Sequence, residues 1–131
     1  MITLICGIPN AGKTTFSAKY PRCLHYDEIA LTTPKRYAYI CERVRSDEGD
    51  IAVEGVYGER WRREELVKAC HEQGHTATCI WLNTPTDKCL EREQSFRKRG
   101  GHLVLSHAHH FEPPTLDEGW DEIIVIGETN G

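Results

Sequence analysis

The sequence predicts an α/β fold in which a five-stranded parallel sheet carries helices on both faces. Short apolar runs alternate with longer amphipathic segments along the 131 residues, and this alternation is typical of parallel sheets. The length corresponds to about one domain of roughly 150 residues, so we expect residues 1–131 to form a single domain. Apolar residues make up 39% of the chain and charged residues 27%, as in an ordinary globular protein.

Five apolar runs predict the strands. The first, with the sequence MITLIC, is apolar at almost every position, which is typical of a strand buried on both faces. The later runs are shorter and are bounded by turn residues such as the DEGD sequence at 47–50. The predicted strands are Met1–Cys6, Cys23–Tyr26, Ile51–Glu54, Thr76–Leu82 and Glu122–Ile126.

Helix start and stop signals place four helices between these strands. Pro21 ends the first helix, and Gly74 follows the third, where a left-handed residue is favoured. Thr33 and Pro34 resemble an N-cap followed by proline at the first helical position. The predicted helices are Lys13–Tyr20, Thr33 to about Arg45, Glu59–Gln73 and Thr84 to about Lys98. The residues expected on one side of the third helix are Trp61, Leu66, Ala69 and Cys70.

Charge and cysteine content narrow the class of protein. The net charge is −4, from 16 basic and 20 acidic residues. A protein that binds nucleic acid over a broad surface is usually basic, so we expect any nucleic-acid contact of this chain to be local. The six cysteines contain no CxxC pair, so we expect reduced thiols in a cytoplasmic protein rather than disulfides or a zinc site. No apolar run approaches the ~18 residues of a membrane span, and because the first strand begins at Met1 we expect no signal peptide.

The segment Gly7–Thr14, GIPNAGKT, matches the phosphate-binding pattern GxxxxGK[ST] between a predicted strand and helix. Gly7 and Gly12 let the main chain approach an anion closely, and successive N–H groups form a cradle for it. Lys13 supplies charge for the β- and γ-phosphates, and the Thr14 hydroxyl can ligate Mg²⁺. The predicted nucleotide contacts are Gly7, Pro9, Asn10, Ala11, Gly12, Lys13, Thr14 and Thr15.

A pair of carboxylates, Asp27 and Glu28, directly follows the second predicted strand. The carboxyl ends of parallel strands gather at the edge that carries the phosphate loop, so a carboxylate here can accept a proton from an acceptor hydroxyl. Asp27 is the better candidate because it is nearer the strand end. The alternative is an ordinary acidic helix start.

Basic residues cluster at the end of the fourth predicted helix, just before Gly100 and Gly101. Phosphoryl transfer needs positive charge over the transferred group, and a basic helix end beside two glycines resembles a kinase lid. The alternative is a solvated helix end favoured by the helix dipole. The candidates are Arg92 and Arg99 for catalysis and Arg97 for nucleotide binding, with Lys98 in the same cluster.

A second basic segment, KRYAYICERVR at 35–45, places lysine and arginine beside tyrosines. Aromatic faces can stack on bases while basic side chains hold phosphates. An amphipathic helix with core tyrosines is the alternative. The candidate acceptor contacts here and after the third strand are Lys35, Arg36, Tyr37, Tyr57 and Arg60, with Arg62 and Arg63 beside Arg60.

Three stretches resemble P-loop kinases of the polynucleotide-kinase type: GIPNAGKTT at Gly7–Thr15, the acidic pair at 27–28, and FEPPTLDEGWDEI at Phe111–Ile123. The resemblance implies a P-loop kinase fold, ATP and Mg²⁺, and a nucleic-acid hydroxyl as acceptor, more often of DNA than RNA. That hydroxyl is a 5′ end or, as in related phage enzymes, 5-hydroxymethyluracil within DNA. By position, the resemblance places Lys13 and Thr14 on the phosphates and metal, Asp27 as base, and Arg92 with Arg99 or Arg97 over the transferred group.

The sequence departs from that family at two segments, and two other functions stay open. The turn at 54–57 reads EGVY instead of containing Asp, Thr or Asn, and HLVLSHAHH at 102–110 replaces a longer, more basic helix. A small-molecule kinase for a nucleoside, nucleotide or sugar nucleotide suits the pI of about 6.0 better. A regulatory module that binds nucleotide without transferring phosphate is the third hypothesis.

Overall fold

All five strands run parallel in one sheet with the order β2-β3-β1-β4-β5. A computed structural model describes residues 1–96 and 102–127. The observed strands confirm the prediction and differ from it by a residue or two at their ends. They are β1 (Ile2–Cys6), β2 (Cys23–His25), β3 (Ile51–Glu54), β4 (Ala77–Asn83) and β5 (Glu122–Gly127).

The strand β1 is the centre of the sheet. Its residue Ile2 lies opposite Ile51 of β3 and Ala77 of β4, and all five β1 residues are buried. Side chains alternate between the faces of a strand, so Leu4 packs among residues of the second and third helices while Ile5 packs with residues of the fourth and fifth. The sheet therefore has an apolar core on each face, as the sequence predicts.

In the described part of the chain, five α-helices connect or flank the strands: α1 (Lys13–Ser17), α2 (Thr33–Arg45), α3 (Arg60–Gln73), α4 (Thr86–Phe96) and α5 (His102–His110). Within residues 1–96 and 102–127, no helix is long and apolar enough to cross a membrane. Helix α1 ends three residues earlier than predicted. The N–H groups of Ala18 and Tyr20 donate to the carbonyls of Thr15 and Ser17, three residues back, so the chain tightens and leaves the α-helical pattern. The predicted end of the fourth helix at Lys98 lies outside the described residues.

The third helix buries the face that the sequence predicts, except near its first residues. Trp61 is 48% exposed, so its predicted position on the buried side is wrong, whereas Leu66, Ala69 and Cys70 are fully buried as expected. Arg63, which the sequence predicts as an acceptor contact, is instead the fully buried side chain at the start of the helix. A long charged side chain enters the core only when its charge has a partner.

That partner is Glu118, in the short turn that precedes β5. Arg63 donates two parallel hydrogen bonds of 2.8 Å to the Glu118 carboxylate and a third, of 2.7 Å, to the carbonyl of Tyr57. Burial acts to raise the pKa of Glu118, but the hydrogen bonds from Arg63 and Trp120 outweigh burial and lower it. The ion pair joins α3 to the chain entering β5.

The segment that resembles kinases, 111–123, therefore has a structural role. The Thr115 main chain and hydroxyl form a capping box with Glu118, and the Trp120 indole donates to the same carboxylate over 3.0 Å. Asp121 accepts a hydrogen bond of 2.8 Å from the main-chain N–H of Ala77. These contacts fix the last strand of the sheet beside β4.

The substitution Glu118→Gln is expected to lower the free energy of unfolding by about 3–5 kcal/mol, because it leaves the buried Arg63 charge without its counterion. Denaturant unfolding measures the change. Asp117→Asn, which removes the charge of the exposed partner of Arg60, is the matched control and should change stability little. Equal effects of the two substitutions would contradict the assignment.

Candidate active site

The crevice of the sheet lies at the carboxyl ends of β1 and β4. The chain leaves β1 toward β2 on one side of the sheet and leaves β4 toward β5 on the other, and ligands of open α/β sheets bind where the connections diverge in this way. The loop at 7–12 follows β1, and the Thr84 hydroxyl, just after β4, donates to the carbonyl of Ala11 over 2.8 Å. Thus the two central connections hold each other in place.

The loop at 7–12 needs glycine at its first position. A Cβ on Gly7 would lie 2.8 Å from the carbonyl oxygen of Leu82, a contact that real side chains do not make. Asn10 and Gly12 have positive φ angles of 69° and 103°, a conformation that glycine and asparagine adopt most readily. The chain thereby turns tightly into α1, whose first turn leaves main-chain N–H groups without helical partners.

Lys13 folds back onto this loop. Its ammonium donates hydrogen bonds of 2.8 and 2.9 Å to the carbonyls of Gly7 and Ile8, and the residue is only 8% exposed. Burial lowers the pKa of Lys13, while the charges of Glu54 and Asp27 act in the opposite direction. The lysine therefore lies within electrostatic reach of two carboxylates at the same edge of the sheet.

Arg92 approaches the loop from α4. Its guanidinium donates a 2.8 Å hydrogen bond to the carbonyl of Asn10, and the Asn10 amide in turn donates to the carbonyl of Cys89 over 3.4 Å. The prediction that Arg92 faces bound phosphates is compatible with this position. Arg97, Lys98 and Arg99 lie outside the described residues, so their predicted roles stay predictions.

Around the loop lies a cleft of about 1360 Å³. Every predicted nucleotide contact from Pro9 to Thr15 lines it, as do Asp27 and Tyr37. Glu28 is exposed and does not line it. The structure thus favours Asp27 over Glu28, because only Asp27 faces the space next to Lys13.

Several predicted acceptor contacts lie elsewhere. Tyr57 is 1% exposed and its hydroxyl is buried, so it is a core residue and not a contact for an acceptor. Lys35 and Arg36 border a separate shallow groove beside Leu31. Arg60 pairs with Glu64 and Asp117 at the start of α3. Among the predicted acceptor contacts, Tyr37 alone lines the cleft.

Glu54 and His107 were not among the predicted site residues. Glu54 ends β3, next to β1, and its buried carboxylate accepts a hydrogen bond of 2.8 Å from the His25 ring. The rule that functional groups gather at carboxyl ends of parallel strands could have indicated it. His107, on α5, lines the cleft; burial and the charge of Lys13 lower its pKa, and Asp27 opposes them. No spacing in the sequence distinguishes it from its neighbouring histidines.

The cleft fits a magnesium ion bound with a nucleotide. Mg²⁺ prefers oxygen ligands and often keeps one or two carboxylates together with substrate phosphates. The Thr14 side chain is exposed at the cleft, and Asp27 and Glu54 line the same space. Hydroxyl and carboxylate oxygens are therefore available where the phosphates of a nucleotide would lie.

Comparison with solved structures reveals the fold. A gluconokinase from Sinorhizobium meliloti superposes with a TM-score of 0.71 at 15% identity, over 98% of this chain and 83% of its own. Kti12 from Chaetomium thermophilum, in complex with ADP-AlF3, gives 0.71 at 16%, over 100% and 91%. The Mycobacterium tuberculosis APS kinase CysC, in complex with AMPPNP and APS, gives 0.64 at 12%, over 99% and 89%. The chain has the P-loop kinase fold.

Comparison by sequence adds nothing to this result: no family model and no curated protein matches the chain. The P-loop kinase fold implied by the motifs is thus confirmed. The narrower resemblance to polynucleotide kinases gains no support from these three structures, none of which is a polynucleotide kinase.

We expect Gly7→Ala to destabilise the protein by about 1–3 kcal/mol, because the added methyl group meets the Leu82 carbonyl and the neighbouring main chain must move. Thermal or denaturant unfolding measures the loss. Gly127→Ala is the control, since no atom lies within 4 Å of its added Cβ. A fully stable Gly7→Ala protein would show that the loop has another conformation.

Removal of the loop ammonium by Lys13→Ala should weaken ATP binding about 10- to 100-fold, which corresponds to the loss of charged hydrogen bonds to phosphate. Isothermal titration calorimetry with Mg²⁺ present measures the affinity. Lys68→Ala removes an exposed lysine of α3 that does not line the cleft and should bind ATP normally. Unchanged affinity in Lys13→Ala would separate this loop from phosphate binding.

Proposed function

We propose that the protein is an ATP-dependent kinase that transfers the γ-phosphate to a hydroxyl group of a small molecule. One observation carries this proposal: a single cleft holds the phosphate-binding loop, with Lys13 buried in it, and the carboxylate of Asp27, whose charge acts on that lysine. A phosphate cradle and a proton acceptor in one space are the two parts that transfer to a hydroxyl requires.

The chemistry follows from these positions. Asp27 accepts the proton of the acceptor hydroxyl as the hydroxyl oxygen forms a bond to the γ-phosphorus. The bond between that phosphorus and the oxygen that bridges the β- and γ-phosphates breaks, and ADP leaves. Lys13, which donates to two loop carbonyls in this structure, can turn its ammonium toward the β- and γ-phosphates. Arg92 contributes positive charge beside Asn10. Magnesium, held by Thr14 with Glu54, would neutralise phosphate charge and leave Asp27 to act as the base.

The charges of the cleft favour a small acceptor over nucleic acid. Within residues 1–96 and 102–127, Lys13 and Arg92 are the lysine and arginine side chains that line it, and both contact the phosphate loop. A nucleic-acid strand is held chiefly by rows of basic side chains against its phosphates. Two of the solved structures with this fold are named for small acceptors, a gluconokinase and an APS kinase with bound APS, which supports the same choice.

The experiment offers γ-labelled ATP to the full chain with nucleosides, nucleotides and sugars, and separately with 5′-hydroxyl oligonucleotides and hydroxymethylated duplex DNA. Label in a small product supports the proposal. Label in an oligonucleotide end or in internal bases would replace it with the nucleic-acid kinase. ATP binding without transfer to any acceptor would favour a regulatory module.

If Asp27 is the base, Asp27→Asn should lower kcat by about 10²- to 10⁴-fold while ATP affinity changes little, because the amide keeps the shape but cannot take the proton. Glu28→Gln is the matched control: it removes the adjacent carboxylate, which does not line the cleft, and should keep activity. Full activity in Asp27→Asn would refute the assignment.

A further inference from the structure

Helix α5 presents one of its faces to the cleft. Four of its residues line the cleft: Leu103, Ser106, His107 and His110. Their spacing of three and four positions places them on one side of a helix. His107 is partly buried on this face, whereas His110 is exposed. His109 is also exposed, and it does not line the cleft. His107 is therefore the histidine of this face that the site partly encloses.

The ring of His107 lies among charges of both signs. Burial and the positive charge of Lys13 lower its pKa, the charge of His110 acts in the same direction, and Asp27 opposes them. Because the ordinary pKa of histidine is about 6.5, a lowered pKa leaves the ring neutral at neutral pH. The lysine of the phosphate loop and the proposed base both act on this one side chain. Charges act strongly only over short distances, so the ring lies beside the space between the loop and the base.

Other titratable side chains face the same cleft. They come from the segment after β2, from α2, from the end of β3, from α4 and from the chain around the start of α3, and they are Tyr26, Tyr37, Glu54, Glu59, Arg92 and Glu112. On α4, which packs against α5, Arg92 alone of the charged residues lines the cleft, and Glu93 is fully buried. In the described part of the chain, the charges that act most on the His107 ring are nevertheless those of Lys13, Asp27 and His110.

A bound triphosphate changes the balance of charge around this ring. Its phosphates place negative charge beside the loop and neutralise the charge of Lys13, so the repulsion that keeps His107 neutral is removed. A protonated imidazole donates from both ring nitrogens, and its hydrogen bonds to an anionic oxygen are stronger than those of the neutral ring. The pKa of His107 is therefore expected to rise when a nucleotide with a γ-phosphate binds.

On the basis of the proposed function, we propose that His107 is a catalytic residue of the kinase, which as an imidazolium donates a hydrogen bond to the γ-phosphate during transfer. The ring takes a proton from solvent when ATP binds, keeps it while the phosphoryl group moves to the acceptor oxygen, and returns it to solvent when the products leave. Phosphoryl transfer requires positive charge around the transferred group. Lys13 and Arg92 supply it beside the phosphate loop, and His107 supplies it from α5.

Calorimetric titration with AMPPNP and Mg²⁺ in buffers of different ionisation enthalpy counts the protons taken up as the nucleotide binds. AMPPNP keeps a γ-phosphate but resists transfer. Near neutral pH we expect the parent protein to take up about one-half to one proton more than His107→Gln. The nucleotide's own protons contribute equally to both proteins, so the difference isolates the ring. With ADP, which lacks the γ-phosphate, the difference should be smaller.

The pH dependence of affinity gives a second measurement. A ring that is neutral in the free protein and charged in the complex strengthens binding at low pH, and this contribution is lost as pH rises through the pKa of the complex. From about pH 6.5 to about pH 8.5, the AMPPNP affinity of the parent protein should therefore fall about tenfold more than that of His107→Gln. His107→Lys carries a charge throughout this range, so it should bind tightly without the proton uptake.

The control variant is His109→Gln, which removes an exposed histidine outside the cleft and should behave as the parent protein does. Unfolding midpoints check that each variant folds, and His107→Lys tests the proton count if His107→Gln does not. Proton uptake that is the same with and without His107, or a difference as large with ADP as with AMPPNP, would overturn the inference and leave the proposed kinase activity intact. No binding of AMPPNP to the parent protein would overturn both.

Discussion

The buried ammonium of Lys13 is the constraint on which the site depends. A charged group that is 8% exposed must find hydrogen bonds and opposite charge within the protein. The carbonyls of Gly7 and Ile8 supply the first, and Glu54 and Asp27 supply the second. Lys13 therefore links the loop electrostatically to the end of β3 and to the turn after β2. When a triphosphate binds, the ammonium can exchange its hydrogen bonds to the carbonyls for hydrogen bonds to phosphate.

A second buried charge supports the opposite face of the sheet. The pair of Arg63 and Glu118 is sealed from solvent, and its third hydrogen bond reaches the Tyr57 carbonyl, three residues after the end of β3. Glu54 is the last residue of β3. The turn that follows β3 is thus hydrogen-bonded to α3, and through the ion pair it is linked to the segment before β5. Interiors are densely packed and transmit displacement, so a shift of this pair would reach Glu54 in the cleft through a few residues of main chain.

The sequence predicted the strands, the sheet class and the phosphate loop well, because each depends on local information. Apolar runs mark β1 and β3, and the spacing of Gly7, Gly12 and Lys13 specifies the loop chemistry by itself. It failed where a residue's role depends on a distant partner. Arg63 and Tyr57 were both predicted as acceptor contacts, because nothing local indicates that they are buried. The partner of Arg63, Glu118, is 55 positions away. The collection of four carboxylates around one space likewise depends on the strand order.

The acceptor is chosen by side chains and not by the fold. The fold places the strand ends and loops around the transferred group, but it does not itself select an acceptor. Lys13 and Arg92 bring positive charge to the phosphate loop, whereas Asp27 and Glu54 bring negative charge to the same cleft from the ends of two strands. In the proposed kinase the reacting hydroxyl lies between these groups, because Asp27 has to accept its proton while Lys13 stabilises the phosphate that it attacks.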